Sequence, residues 1–314
     1  MWETFSTTIS TMLVMTACIV LGFIAKKKKL APDNTATVLS KLETSFIVPA
    51  MTINTFMNHC TLESVSEQYM SFIYCTIAMA ISLVIAIPLS KKFSTDPYER
   101  NIYKYALTIS NSGFLGNAIV LEVMGGNEAL YSYLLYSLPL YVLIYTWGVV
   151  ILVPQGEKKK SLLERCINPI FISVLIGAFL GLTGITKVLP SFIPVTLQNL
   201  SNCMGPIAMI LTGFVIGDYK IKELLSNKKV YIVTVLRVFV LPALLIAVLY
   251  FLGADEENLK YTLFAFGSGL GLNTIVFPAA YGGDTHTGAS MAMIASVMSI
   301  ISIPLLYSLV TVIF

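Results

Sequence analysis

Ten predominantly apolar stretches, each about twenty residues long, run the length of this 314-residue chain and constrain its fold more tightly than any other feature. They fall at 5–25, 35–57, 68–89, 101–124, 129–153, 167–186, 192–216, 230–251, 259–281 and 287–313. A bilayer core about 30 Å thick takes roughly 20 residues of helix to cross, so each stretch predicts a membrane-spanning helix. Composition agrees: 56% of the residues are hydrophobic, only 12% are charged, and the mean hydropathy is +0.80. That is too little polar surface to coat a soluble globule of this size.

The first stretch is expected to be a spanning helix and not a removed signal peptide, because residues 1–12 carry Glu3 and no Lys or Arg, and no small-residue cleavage site closes it. The longest segments between stretches, 91–104 and 155–166, are too short to fold alone. Any function therefore sits between the helices.

Basic residues collect on the cytoplasmic side of a membrane protein, and here they occupy alternate loops. Lys26 to Lys29 follow stretch one; Lys91, Lys92, Arg100 and Lys104 follow stretch three. Lys158 to Lys160 and Arg165 follow stretch five, and Lys220, Lys222, Lys228 and Lys229 follow stretch seven, whereas the opposite loops hold only Lys187 and Lys260. Both termini are expected outside a multi-pass protein of the cell membrane. The net charge of +3 reflects this loop bias and gives no reason to invoke a nucleic-acid partner. Cys18, Cys60, Cys75, Cys166 and Cys203 show no CxxC pair or metal-like spacing and read as small packing residues.

The chain also repeats itself. Offset by 156 residues, 104–126 (KYALTISNSGFLGNAIVLEVMGG) aligns without gaps on 260–282 (KYTLFAFGSGLGLNTIVFPAAYG), with 9 of 23 positions identical. A weaker echo links Pro49 and its neighbours through Thr55 to Pro206 through Thr212. Five helices separate the repeats, an odd number, so each crosses the membrane in the opposite sense to its partner. The expectation is an all-α membrane protein of ten transmembrane helices in two inverted five-helix repeats, 1–153 and 167–314, with a short cytoplasmic linker at 154–166. Such halves serve alternating access.

Gly113 and Gly116 in stretch four, and Gly267, Gly269 and Gly271 with Pro278 in stretch nine, cluster mid-helix. Gly costs about 1 kcal/mol per residue in a helix relative to Ala, and Pro removes a hydrogen bond. Clustered there, they predict unwound crossings whose freed backbone lines a cavity, with half-helix N-termini turned toward an anion. Glycine alone fits close helix packing equally well. Asn117 and Asn273, however, occupy equivalent repeat positions beside Ser112 and Ser268, with Asn111 and Thr274 adjacent. Polar side chains placed symmetrically at that depth point to a substrate site, or to a sodium site near Asn117, Ser268 and Asn273.

On these residues the chain resembles the auxin efflux carrier family, which includes the plant PIN exporters and bacterial malate or malonate permeases. Asn111-Ser-Gly-Phe-Leu-Gly116 is similar to the family's N-x-G-x-x-G-x-P pattern, except that the proline position is Ala118. Pro49 in FIVPAMTINTF, and Tyr281-Gly-Gly-Asp284 followed by Ser296, Ser299 and Pro304, extend the likeness over the chain. The resemblance implies the fold of sodium/proton antiporters and bile-acid symporters. In it helices 1, 2, 6 and 7 form a scaffold that often dimerises, and helices 3–5 and 8–10 form a transport domain. It further implies a small organic anion, carboxylate in character, as substrate; no cofactor is expected.

Glu122 has two readings, a proton carrier or an interfacial carboxylate. Lys41 and Glu43 lie early in stretch two, where snorkelling explains them, and Arg237 either snorkels or attracts anions at the cytoplasmic entrance. Asp284 reads as support for the N-terminus of the last helix. Tyr141 and Tyr145, four apart, either pack or line the cavity. Pro49, Pro206 and Pro278 are candidates for gating positions. An enzyme finds little support: the two histidines, His59 and His286, form no HExxH, Tyr281-Gly-Gly-Asp284 is not a GxGD, and Gly267-Ser-Gly-Leu-Gly271 follows no strand. Broken helices also build channels, but no ring of like charges appears.

Overall fold

The computed structural model describes residues 2–153, 169–280 and 283–313. Among them every regular element is helical and no strand is present. The expected linker at 154–166, with Lys158 to Lys160, Arg165 and Cys166, lies outside the described residues, as do Tyr281 and Gly282.

In chain order the helices are α1 (Trp2–Lys27), α2 (Thr35–Leu42), α3 (Val48–His59), α4 (Leu62–Glu67), α5 (Tyr69–Phe93), α6 (Pro97–Thr108), α7 (Asn117–Val123), α8 (Asn127–Leu143) and α9 (Val149–Leu152). They continue with α10 (Pro169–Thr183), α11 (Phe192–Gly217), α12 (Ile221–Leu224), α13 (Lys228–Val235), α14 (Leu241–Phe251), α15 (Glu256–Gly267), α16 (Asn273–Ala280) and α17 (His286–Ile313). π-helical turns at Glu43–Ile47, Ser112–Gly116, Ile144–Gly148 and Leu236–Val240 fuse neighbouring pieces.

Seven spans among the described residues are long and apolar enough to cross a membrane: Phe5–Lys27, Tyr69–Phe93, Pro97–Val123, Asn127–Leu152, Phe192–Gly217, Lys228–Phe251 and His286–Ile313. The chain is thus a multi-pass membrane protein. The three other expected stretches fall short for separate reasons. α10 is described for 15 residues only. The run from α2 through α3 carries Lys41 and Glu43, and α15 and α16 are separated by an unwound segment.

Two of the π turns have a local cause. Pro49 and Pro242 lack the N–H that would continue an α-helical ladder, and a π turn stands just before each, at Glu43–Ile47 and at Leu236–Val240. These wider turns place Glu43 and Arg237, and both end fully buried, at 0% and 1% exposure. This corrects the snorkelling expected of them. Neither carboxylate oxygen of Glu43, and none of the three guanidinium nitrogens of Arg237, has a hydrogen-bond partner among the described residues.

The most extensive pairings are α1 with α11 and α10 with α3, and glycine makes both. A methyl on Gly22 would strike the Ile210 carbonyl, one on Gly213 the Ile19 carbonyl, and one on Gly177 would lie 2.7 Å from Phe56 Cβ. Small residues let helix backbones touch where no hydrophobic force distinguishes protein from lipid. Contacts advance from Phe23 with Gly213 to Lys26 with Gly217, and from Ile53 with Gly177 to Cys60 with Gly181, so the helices of each pair run parallel. Lys26 at the end of α1 closes the first pair, bridging Asp218 at 2.7 Å and Asp33 at 3.1 Å.

Candidate functional site

α6 stops at Thr108 because Ile109 turns extended (φ −115°, ψ 129°). Ser110 and Asn111 are non-helical before the π turn at Ser112–Gly116 leads into α7. α15 stops in the same way at Gly267, and residues 268–272 stay unwound until α16 begins at Asn273. Both breaks thus fall where the glycines cluster.

The two breaks are bonded to each other. The Asn111 N–H donates to the Gly269 carbonyl at 2.8 Å, and the Ser110 hydroxyl donates to the Ala265 carbonyl. Backbone groups freed by unwinding are therefore satisfied across the crossing, as they must be inside a membrane. Tyr133 adds a bond from its hydroxyl to the Ser112 carbonyl at 3.2 Å, and Ser268 turns its hydroxyl back to the Phe264 carbonyl at 2.7 Å. Gly116 is required here, since a methyl at that position would overlap the Tyr133 hydroxyl and lie 3.2 Å from the Phe264 carbonyl oxygen.

A cavity of about 340 Å³ opens beside the crossing. Asn111, Asn117 and Asn273 line it, facing Tyr141 and Tyr145. The Tyr141 hydroxyl donates to Asn117 Oδ1 at 3.4 Å, which leaves both amide N–H bonds of Asn117 without a partner in that pair. Asn273 Nδ2 donates to the Tyr105 hydroxyl oxygen at 2.8 Å, so one of its N–H bonds is held and the other is available. Tyr105 itself is buried behind the lining. The rim is formed by exposed Lys41 and Pro169 with Ser40, at the end of the molecule that bears Lys26 to Lys29.

Of the residues read from sequence, Asn111, Gly113, Asn117 and Asn273 come together on the cavity. Ser112, Gly116, Ser268, Gly269 and Thr274 are packed around the crossing and do not line it. Thr274 bonds the Gly271 carbonyl at 3.2 Å, and a methyl on Gly269 would sit 3.2 Å from the Ala295 backbone. The three residues expected near sodium thus divide, with Asn117 and Asn273 on the cavity and Ser268 off it. No group of three or more His, Cys, Asp or Glu forms a metal site among the described residues.

Glu122 is exposed and lines a second cavity of about 290 Å³ between α1, α7 and α11, together with Pro206. Ala118 lines it too, and a methyl on Gly205 of α11 would meet its Cβ at 3.3 Å. Pro49 is half-buried in the first turn of α3, and Pro278 is buried within α16. Asp284 accepts from the His286 N–H at 2.9 Å and the Thr287 N–H at 3.4 Å, which makes it the N-terminal support of α17.

Sequence reasoning missed Ser110, Tyr105 and the α2–α3 wall of the cavity. The wall carried a signal: Ser40, Thr44 and Thr52 share a face at four-residue multiples, and all three line the cavity with Val48. Tyr105 carried none, since its partner Asn273 lies 168 residues away.

No curated protein sequence matches the chain. A family model described as membrane transport protein covers residues 7–307, nearly the whole length. This bundle of spanning helices, with two bonded breaks beside a cavity, belongs to this membrane transport protein family, the family of the auxin efflux carriers.

Proposed function

We propose that the protein is a secondary transporter that carries a small organic anion, carboxylate in character, across the cell membrane by alternating access. The observation that carries this reading is the meeting of Asn111, Asn117 and Asn273 on one cavity at two bonded helix breaks. Amide N–H groups are hydrogen-bond donors for carboxylate oxygens; Asn273 begins α16, the helix after the second break, whereas Asn117 follows the π turn that restarts the helix at Ser112.

The architecture proposed is ten helices in two inverted repeats, 1–153 and 167–314. Each dominant pairing supports it, since α1 with α11, and α10 with α3, joins the first helix of one half to the second of the other. These four form the scaffold, whose exposed face is the proposed homodimer contact. The α5–α9 and α13–α17 helices form the transport domain. A second support is asymmetry at the first break: the pocket that reaches Asn111 from α1, α11 and α17 holds about 10 Å³, against about 340 Å³ on the other side of Asn111. In this reading the site is open toward the basic, cytoplasmic end and narrow beside Asn111 on the other side, with both termini outside.

Uptake of labelled malonate, malate, acetate and indole-3-acetate into proteoliposomes, with imposed sodium, proton or voltage gradients, tests the reading and identifies the coupling. Asn117→Ala and Asn273→Ala each remove a hydrogen bond to a charged ligand, about 1.5–3 kcal/mol, and should cut uptake about tenfold or more. No uptake of any carboxylate, or unaltered uptake by both variants, would refute it.

A further inference from the structure

Among the described residues, Arg237 is a fully buried cation whose guanidinium nothing described so far employs. Its turn, Leu236–Val240, packs against α6, α15 and α17. Acidic residues on those helices are engaged elsewhere. Glu99 accepts from Tyr103 at 3.2 Å, Glu256 pairs with Lys260 at 2.8 Å, and Glu257 accepts from Tyr261 at 3.4 Å. The lysines and arginine there, Arg100, Lys104 and Lys260, bear the same sign as Arg237, and His286 begins α17. Tyr105 stands on α6, one of the helices against which the turn of Arg237 packs.

Arginine keeps its charge in proteins, and an uncompensated ion inside a low-dielectric bundle is costly to the fold. A fold that keeps such a charge gains only if something outside the resting structure answers it. The path outward is short: the turn that carries Arg237 packs against α6, which carries Tyr105, Tyr105 accepts from Asn273, and Asn273 lines the cavity. A positive field in a water-poor pocket raises the local concentration of anions without contact.

We propose that Arg237 sets the preference of the cavity for anionic over neutral solutes, acting as a fixed positive charge through Tyr105 and Asn273 and not by touching the solute. This rests on the anion reading above and names the residue that enforces it. It makes Arg237 a specificity determinant whose loss relieves the fold while weakening selection.

The test compares wild type, Arg237→Met and Arg237→Lys in proteoliposomes and by thermal melting, with malonate against malonamide and indole-3-acetate against indole-3-acetamide as probes. Arg237→Met should lower carboxylate uptake about tenfold or more, in line with the range of field effects on charged ligands. Its response to the carboxamides should stay within about twofold, since a neutral solute gains little from the field. Its melting temperature should equal or exceed that of wild type. Arg237→Lys, which keeps the charge, should keep the carboxylate preference. Equal loss for carboxylate and carboxamide overturns the proposal, as does an Arg237→Met protein that melts lower or does not fold, because the guanidinium would then be a structural partner. Wild type that moves neither carboxylate refutes the anion reading and this role with it. Carboxylate uptake unaltered by Arg237→Met refutes the role alone.

Discussion

Two glycines three residues apart in the first break, Gly113 and Gly116, should respond to alanine in opposite ways. At Gly116 the added methyl overlaps the Tyr133 hydroxyl and meets the Phe264 carbonyl oxygen at 3.2 Å. Overpacking of this kind costs about 1–3 kcal/mol. Displacing Tyr133 also forfeits its bond to the Ser112 carbonyl, about 0.5–1.5 kcal/mol. The gain in helix propensity returns about 1 kcal/mol. The net is a loss of about 0.5–3.5 kcal/mol when these terms are combined. At Gly113 the nearest atom to an added methyl is Tyr141 Cε1, at 3.7 Å, an ordinary contact. Gly113→Ala should therefore keep only the propensity gain and melt as wild type or higher, though its methyl narrows the cavity and slows uptake. The assay is thermal unfolding of the purified protein in detergent, with Tyr133→Phe added as a third variant. Removing the hydroxyl takes away the atom that the Gly116→Ala methyl strikes, so the double variant should lose less than the sum of the two singles, by about 0.5–1.5 kcal/mol. Gly116→Ala melting at or above wild type, or strict additivity with Tyr133→Phe, would show that the close approach at the crossing does not hold.

Two other perturbations follow. Glu43→Met replaces a fully buried carboxyl whose oxygens have no partner, and should raise stability by about 1–3 kcal/mol, the cost of an unsatisfied buried polar group; a lower melting temperature would show that the carboxyl is held. Asp284→Ala removes the acceptor for two N–H groups at the start of α17 and should cost about 1 kcal/mol, with hydrogen exchange speeding at His286 and Thr287 and not at Pro304 onward.

Much of this was legible in the sequence because apolar length and glycine clustering act locally. The stretch at 192–216 became α11, Phe192–Gly217, and the one at 287–313 became α17, His286–Ile313. The repeat offset singled out Asn117 and Asn273, and both line the cavity, although Asn273 directly follows its break and Asn117 follows a π turn. Hydropathy, in contrast, reports how apolar a helix is but not which way each side chain turns. Glu43 and Arg237 stood near the ends of their stretches, where a charged side chain ordinarily reaches water. A π turn before a proline rotates the helix face, and that rotation is fixed by neighbours distant in sequence. The link from Asn273 to Tyr105 has the same origin, a contact between halves that no local pattern records.

The glycine seams between α1 and α11, and between α10 and α3, also dictate where chains of this kind can drift. At Gly22, Gly213 and Gly177 the neighbouring backbone or Cβ fills the space a side chain would take, so any replacement must pry two helices apart along a shared length. One or two residues away, Val20 and Leu21 are 48% and 60% exposed, facing outward where one apolar group serves as well as another. Sequence divergence among relatives should therefore form stripes along α1, tolerant on the outward side and frozen at the seam, a pattern read directly from variant counts after random mutagenesis and selection for uptake.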